Sequence, residues 1–167
     1  MKCIFHAAFL LLFAVLQPTW SEKLAFFGII PNLFLIYLVV VCCFCKRKEG
    51  VILGFVFGLV FDLLLGRIIG LSVILMMILA FYVTYFFSSV IRNNTIFITL
   101  LIVLISVILY ELFYYVIAFL GDLHLRTVFV KVLLPECLCS IIVAVPIYLI
   151  IKKFTKVFWD NMGETIG

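Results

Sequence analysis

GVILGFVFGLVFDLLLG, residues 50–66, decides how this chain is read. Gly50, Gly54, Gly58 and Gly66 recur every fourth position, and Asp62 takes the one remaining rung. Four residues turn an α-helix by about 400°, so successive rungs drift only about 40° and rise about 6 Å. Gly54, Gly58, Asp62 and Gly66 therefore form a gently winding stripe of small residues. Such a stripe is a groove into which another helix backbone can pack closely. The carboxylate on it is expensive in hydrocarbon, about 2.5–3.5 kcal/mol at a bilayer centre on insertion scales. It is therefore expected to face protein or a hydrated cavity.

Hydrocarbon is the right reference because of the composition. Apolar residues make up 68% of the 167 positions and charged residues 12%, against roughly 45–50% and about 25% in soluble domains. A chain of this kind cannot cover itself with polar side chains. Its formal charge of +4 is gathered in short clusters between apolar runs, which is how membrane topology is encoded and not how nucleic acid is bound.

Six apolar runs approach the about 20 residues a spanning helix needs. They cover roughly Cys3–Leu16, Leu24–Cys45, Val51–Leu65, Leu71–Ile91, Thr95–Leu120 and Val128–Ile151. The first has the basic start of a signal peptide, but no small-x-small cleavage site precedes Trp20, so it is read as a retained helix. The expected fold class is an all-α polytopic membrane protein: one six-helix domain over residues 1–167. Lys2, Lys46, Arg47, Lys48, Arg92, Lys152, Lys153 and Lys156 fall on one side of that plan. Lys23, Arg67 and Arg126 fall on the other, with Lys131 just inside the last span. The imbalance places both termini in the cytoplasm. Trp20 and Trp159 then sit at opposite interfaces, and the Asn93-Asn94-Thr95 sequon is a chance match on the cytoplasmic side.

No connection exceeds about ten residues in this reading, which leaves no room for a nucleotide-binding fold. Catalytic and cofactor-binding residues are not found. Cys42, Cys43, Cys45, Cys137 and Cys139 lack the paired spacing of a zinc site and read as small apolar side chains. His6 and His124 have no partner in sequence and read as surface or interface residues. The candidate intramembrane polar cluster is Pro31, Asn32, Asp62, Glu111 and Glu136. Asn32 and Asp62 fall at similar depth on consecutive spans, and the proline frees a backbone carbonyl beside them, so the two are expected to approach each other. Glu136 follows Pro135 and lies five residues beyond Lys131, within reach if the helix bends. Glu111 and Glu136 fit either a transport path or a lock between helices.

With these residues in view, the chain resembles the bacterial rod-shape-determining protein family MreD. PNLFLIYLVV from Pro31, a basic turn, and GFVFGLVFDLLLGRIIGLSVI from Gly54 carry the likeness. That family shows Pro-Asn or Pro-Asp with leucines in its second span, then G-F-x-x-G-x-x-x-D, a glycine and a leucine-rich span. The pattern falls on Pro31, Asn32, Leu33, Gly54, Phe55, Gly58, Asp62, Gly66, Gly70 and Leu71. The detailed match covers residues 31 to 90; elsewhere only hydropathy, length and span count agree. The resemblance implies a non-catalytic component of the cell-wall elongation machinery in the bacterial inner membrane. It implies binding to the single-span scaffold MreC, and a link to the RodA polymerase, its penicillin-binding transpeptidase and the MreB filament. It also implies a fold like the substrate-binding subunits of energy-coupling-factor vitamin transporters. On this view the groove of Gly54, Gly58, Asp62 and Gly66 receives either a partner's helix or another helix of the same chain. The rival reading is a small-molecule uptake subunit, with Tyr110, Tyr114, Tyr115 and Glu111 lining a pocket.

Overall fold

The computed structural model describes residues 6, 8–10, 12–17, 31–65, 70–90, 96–120 and 128–163. Side chains are described for these except at 47, 65, 86–90, 114, 115, 117–120, 128–135 and 155–163. The described residues form six helices and no strand: α1 over Ala8–Gln17, α2 Leu33–Cys42, α3 Arg47–Leu65, α4 Leu71–Val90, α5 Ile96–Leu120 and α6 Val128–Gly163. By length and composition, two contain stretches able to cross a membrane, Ile96–Phe113 in α5 and Glu136–Phe154 in α6.

The order of helices follows the apolar runs, but one boundary differs. The run expected over Leu24–Cys45 does not contain one helix kinked at Pro31. A fresh helix starts at Leu33, and Asn32 is its N-cap with extended backbone (φ −76°, ψ 92°). Proline and the restriction it places on its neighbour oppose continued helix there, and asparagine is a strong cap. The result is a ten-residue α2, only about 15 Å long. At its other end the Cys43 N–H is shared between the Val39 and Val40 carbonyls, and the Phe44 N–H returns to Val41. α3 then begins inside the basic cluster, where the Glu49 carboxylate accepts the Lys46 N–H at 3.4 Å. This is half of a capping box, with an acid at the positive end of the helix. α6 runs on through Lys152 and Lys153 to Gly163 and does not stop at Ile151.

α2 is the central post. All ten of its side chains are buried, as expected for a helix that is apolar on every face. It touches α3, α4, α5 and α6. Its link to α1 and α3 is aromatic. Tyr37 stacks on Phe9 at 5.0 Å and on Phe57 at 5.4 Å. Phe13 meets Tyr37 edge-on at 5.2 Å, and Phe34 meets Phe61 at 5.6 Å. Each such pair contributes about 0.5–1.5 kcal/mol beyond its area. The outside is also apolar: Ile52, Leu63, Ile74, Phe97, Leu138 and Ile142 are all more than half exposed.

Candidate functional site

The glycine stripe on α3 is filled by α4 of the same chain. A β-carbon on Gly54 would lie 2.8 Å from the Met76 carbonyl oxygen and 3.1 Å from Met77 Cα. On Gly58 it would lie 2.6 Å from Val73 Cα and 2.9 Å from the Ser72 carbonyl oxygen. On Gly50 it would meet the Thr84 methyl at 2.6 Å. As the α3 number rises, the α4 number falls, so the two helices form an antiparallel hairpin with backbones nearly touching. Among the described pairs of α2 to α6, α3 and α4 are the most closely associated. Of the two uses the sequence left open for Gly54 and Gly58, the groove has the internal one. The chain's next helix occupies the space a partner's helix would need. Gly66 lies outside the described residues.

Asp62 continues the stripe to the closed end of this hairpin. Its side chain is fully buried. One oxygen, Oδ2, accepts the Gly70 N–H at 2.8 Å. Gly70 immediately precedes α4, and its carbonyl accepts the Ile74 N–H at 3.1 Å, the first bond of that helix. The carboxylate of α3 therefore caps the N-terminus of α4, where unsatisfied N–H groups and the helix dipole favour negative charge. Gly70 has φ +98°, which side chains other than glycine rarely adopt. A β-carbon there would touch nothing within 4 Å, so conformation and not space requires glycine at this point. The second carboxylate oxygen, Oδ1, is buried with no hydrogen-bond partner among the described residues.

Asn32 caps its own helix. Its Oδ1 accepts the Leu35 N–H at 3.0 Å. Beside it the Gln17 amide donates from Nε2 to the Pro31 carbonyl at 3.2 Å. Gln17 Oε1 accepts the Leu33 N–H at 3.1 Å. Pro31, Asn32 and Gln17 thus finish the buried start of α2, with the Pro31 carbonyl taken by the Gln17 amide. The bonds of Asn32 and Asp62 go to these backbone groups and not directly to each other.

A third polar contact ties α4 to α5: Ser72 Oγ and the Tyr110 hydroxyl lie 2.9 Å apart, both side chains 1% exposed. Tyr110, which the uptake reading would set in a pocket, is therefore a buried strut. Glu111 of α5 and Glu136 of α6 share the surroundings of Cys137. Glu136 is buried, Glu111 half-buried, and both have polar or electrostatic contacts of their own. The side chains of Lys131, Pro135, Tyr114, Tyr115 and Trp159 lie outside the described residues, as do Lys2, Trp20, Lys23, Arg67, Arg92, Asn93, Asn94, Thr95, His124 and Arg126. His6 is not isolated: its Nδ1 lies 2.9 Å from the Tyr37 hydroxyl.

Gln17, Ser72 and Gly70 are the site residues that sequence reasoning did not single out for these roles. Gln17 carried a signal, an amide closing an apolar run beside a proline. Gly70 carried one too, eight residues past Asp62 at the start of the next run. Ser72 carried none. Among the described residues no group of three potential metal ligands forms.

A family model described as rod shape-determining protein MreD matches residues 2–158. A search of curated proteins found no match, and a search of solved structures found none.

Proposed function

Because the chain belongs to the MreD family of rod shape-determining proteins, we propose that it is a non-catalytic, multi-pass component of the bacterial cell-wall elongation complex. It sits in the cytoplasmic membrane and binds the scaffold protein MreC. Through that scaffold it is linked to the RodA polymerase, its transpeptidase and MreB. The observation that carries this reading is the extent of the family match, residues 2–158.

The membrane placement has its own support. The apolar stretches Ile96–Phe113 and Glu136–Phe154 are only 28% and 33% buried within the fold. A core helix of a soluble protein would be mostly covered. These helices instead present most of their apolar length outward, and lipid is the solvent that suits it. On this reading the six helices form one domain, both termini are cytoplasmic, and the fold is of the vitamin-transporter substrate-subunit kind.

The role proposed is that of a rigid docking body. Its most intimate helix pair is locked internally by Gly54, Gly58 and Asp62, so MreC meets another surface. Affinity purification of the tagged protein from a rod-shaped bacterium tests this. MreC should co-purify, and depletion should turn rods into rounded cells. Normal rods after depletion, or no MreC recovered after mild cross-linking, would refute it.

A further inference from the structure

We propose that the turn after α2 and the far part of α6 together form a binding site for the headgroup of an anionic glycerophospholipid. The inference rests on the membrane placement above, with this end at the cytoplasmic face. Phe44, at the end of α2, lies against Tyr148 of α6 with ring centroids 5.8 Å apart. That contact sets two distant basic segments side by side. Lys46 and Lys48 follow Phe44, and Lys152 and Lys153 follow Tyr148 by one helical turn. All four lysine side chains are exposed. The Lys152 ammonium stands 5.4 Å from the Tyr148 ring centroid, so it is held at the seam between the two segments. Among the described residues none of the four forms an ion pair. The one carboxylate close in sequence, Glu49, is turned to the Lys46 backbone N–H.

Positive charge at the cytoplasmic end of a span needs no special cause. Convergence of two basic segments on one aromatic contact is a more specific arrangement, and it suits a phosphate. The neighbouring surface decides between a lipid and an acidic protein segment. Ile150 and Phe154, on α6 beside the two lysines, are 47% and 38% exposed. Apolar side chains next to ammonium groups match a ligand with a charged head and hydrocarbon chains. Lysine stems extend along such chains while their heads reach the phosphate.

The test uses the full-length protein in lipid nanodiscs, of phosphatidylcholine alone or mixed with phosphatidylglycerol. The readout is the phospholipid still bound after detergent extraction, measured by native mass spectrometry. Phosphatidylglycerol should be retained in preference to phosphatidylcholine, and less so at high salt. Each lysine removed, in Lys46→Gln with Lys48→Gln or in Lys152→Gln with Lys153→Gln, should lower that preference by about fivefold. Equal retention of the two lipids, or an unchanged preference in the fourfold glutamine variant, would overturn the site. So would a fourfold variant that keeps its lipid but loses MreC, since the patch would then read an acidic protein. Protein that never enters the discs would instead overturn the membrane placement.

Discussion

A β-carbon on Gly58 would meet backbone on two sides, at Val73 Cα and the Ser72 carbonyl, and neither can yield unless α4 moves. Gly58→Ala should therefore cost about 1–3 kcal/mol, the usual range for overpacking a tight contact. Thermal unfolding in detergent would measure it. Gly50→Ala should cost less, because the atom in the way is the tip of the Thr84 side chain. An equal loss at both positions would mean the seam is not governed by backbone contact. At Gly70 the ground is different. Space is open, but φ is +98°, so Gly70→Ala should cost about 1–2 kcal/mol from conformation alone. Gly70→Asn should be milder, since asparagine enters that region more readily. Asp62 has a third character. Asp62→Ala leaves the Gly70 N–H buried without its acceptor, a loss of about 1–3 kcal/mol. Asp62→Asn keeps an acceptor oxygen for Gly70, gives up charge against the α4 dipole, about 0.3–2 kcal/mol, and sets an amide NH2 where Oδ1 has no partner among the described residues. Unfolding midpoints falling in the order wild type, Asn, Ala would bear this out. An alanine variant as stable as wild type would show that the carboxylate contributes nothing to the hairpin.

At the scale of elements, the helices were legible where the apolar runs were long and uninterrupted. α3, α4 and α5 lie nearly where the runs of residues 51–65, 71–91 and 95–120 predicted them. The glycine spacing also announced a close helix contact, because only backbone approach explains a stripe of missing side chains. What the spacing could not say is which helix fills it, since a partner's helix and α4 present the same backbone to Gly54 and Gly58. The start of α2 was misjudged for a physical reason. Hydropathy is continuous across Pro31-Asn32, but hydrogen-bonding capacity is not, and the chain resolves the conflict by capping a new helix at Asn32. The Gln17 amide closes its run beside a proline, but its partners, Pro31 and Leu33, are 14 and 16 residues away, and nothing local marks that distance. These caps make α2 a separable test. Asn32→Ala should cost about 0.5–2 kcal/mol, as loss of a buried N-cap does. Gln17→Ala should cost at least as much, since it strips a donor from the Pro31 carbonyl and an acceptor from the Leu33 N–H. The double variant should lose roughly the sum if the two caps act independently. A double loss well below the sum, in a cycle of unfolding measurements, would mean that one cap depends on the other.

On the scale of the whole molecule, the burial pattern separates two jobs that the sequence had placed on one stripe. The face of α3 bearing Gly54, Gly58 and Asp62 is closed against α4, and α2 is enclosed on every side, so neither offers surface to a partner. Among the described residues, what remains outward is apolar surface on α1, α3, α4, α5 and α6. On the proposed membrane reading, that surface is where a partner's membrane helix would pack, in competition with lipid and without a hydrophobic driving force of its own. It follows that damage to the seam should act on scaffold binding only through the fold. Gly58→Leu should lower the amount of folded protein, its unfolding midpoint and its recovery of MreC together. Restoring folded yield at lower growth temperature should restore MreC in proportion. The experiment is a paired measurement, unfolding midpoint against MreC recovered per folded molecule, across Gly58→Ala, Gly58→Leu and Asp62→Asn. A flat ratio across the series is the expected outcome. A variant that keeps the wild-type midpoint and loses MreC would place the scaffold's contact on the stripe itself, and α4 would then have to be displaced when the partner binds.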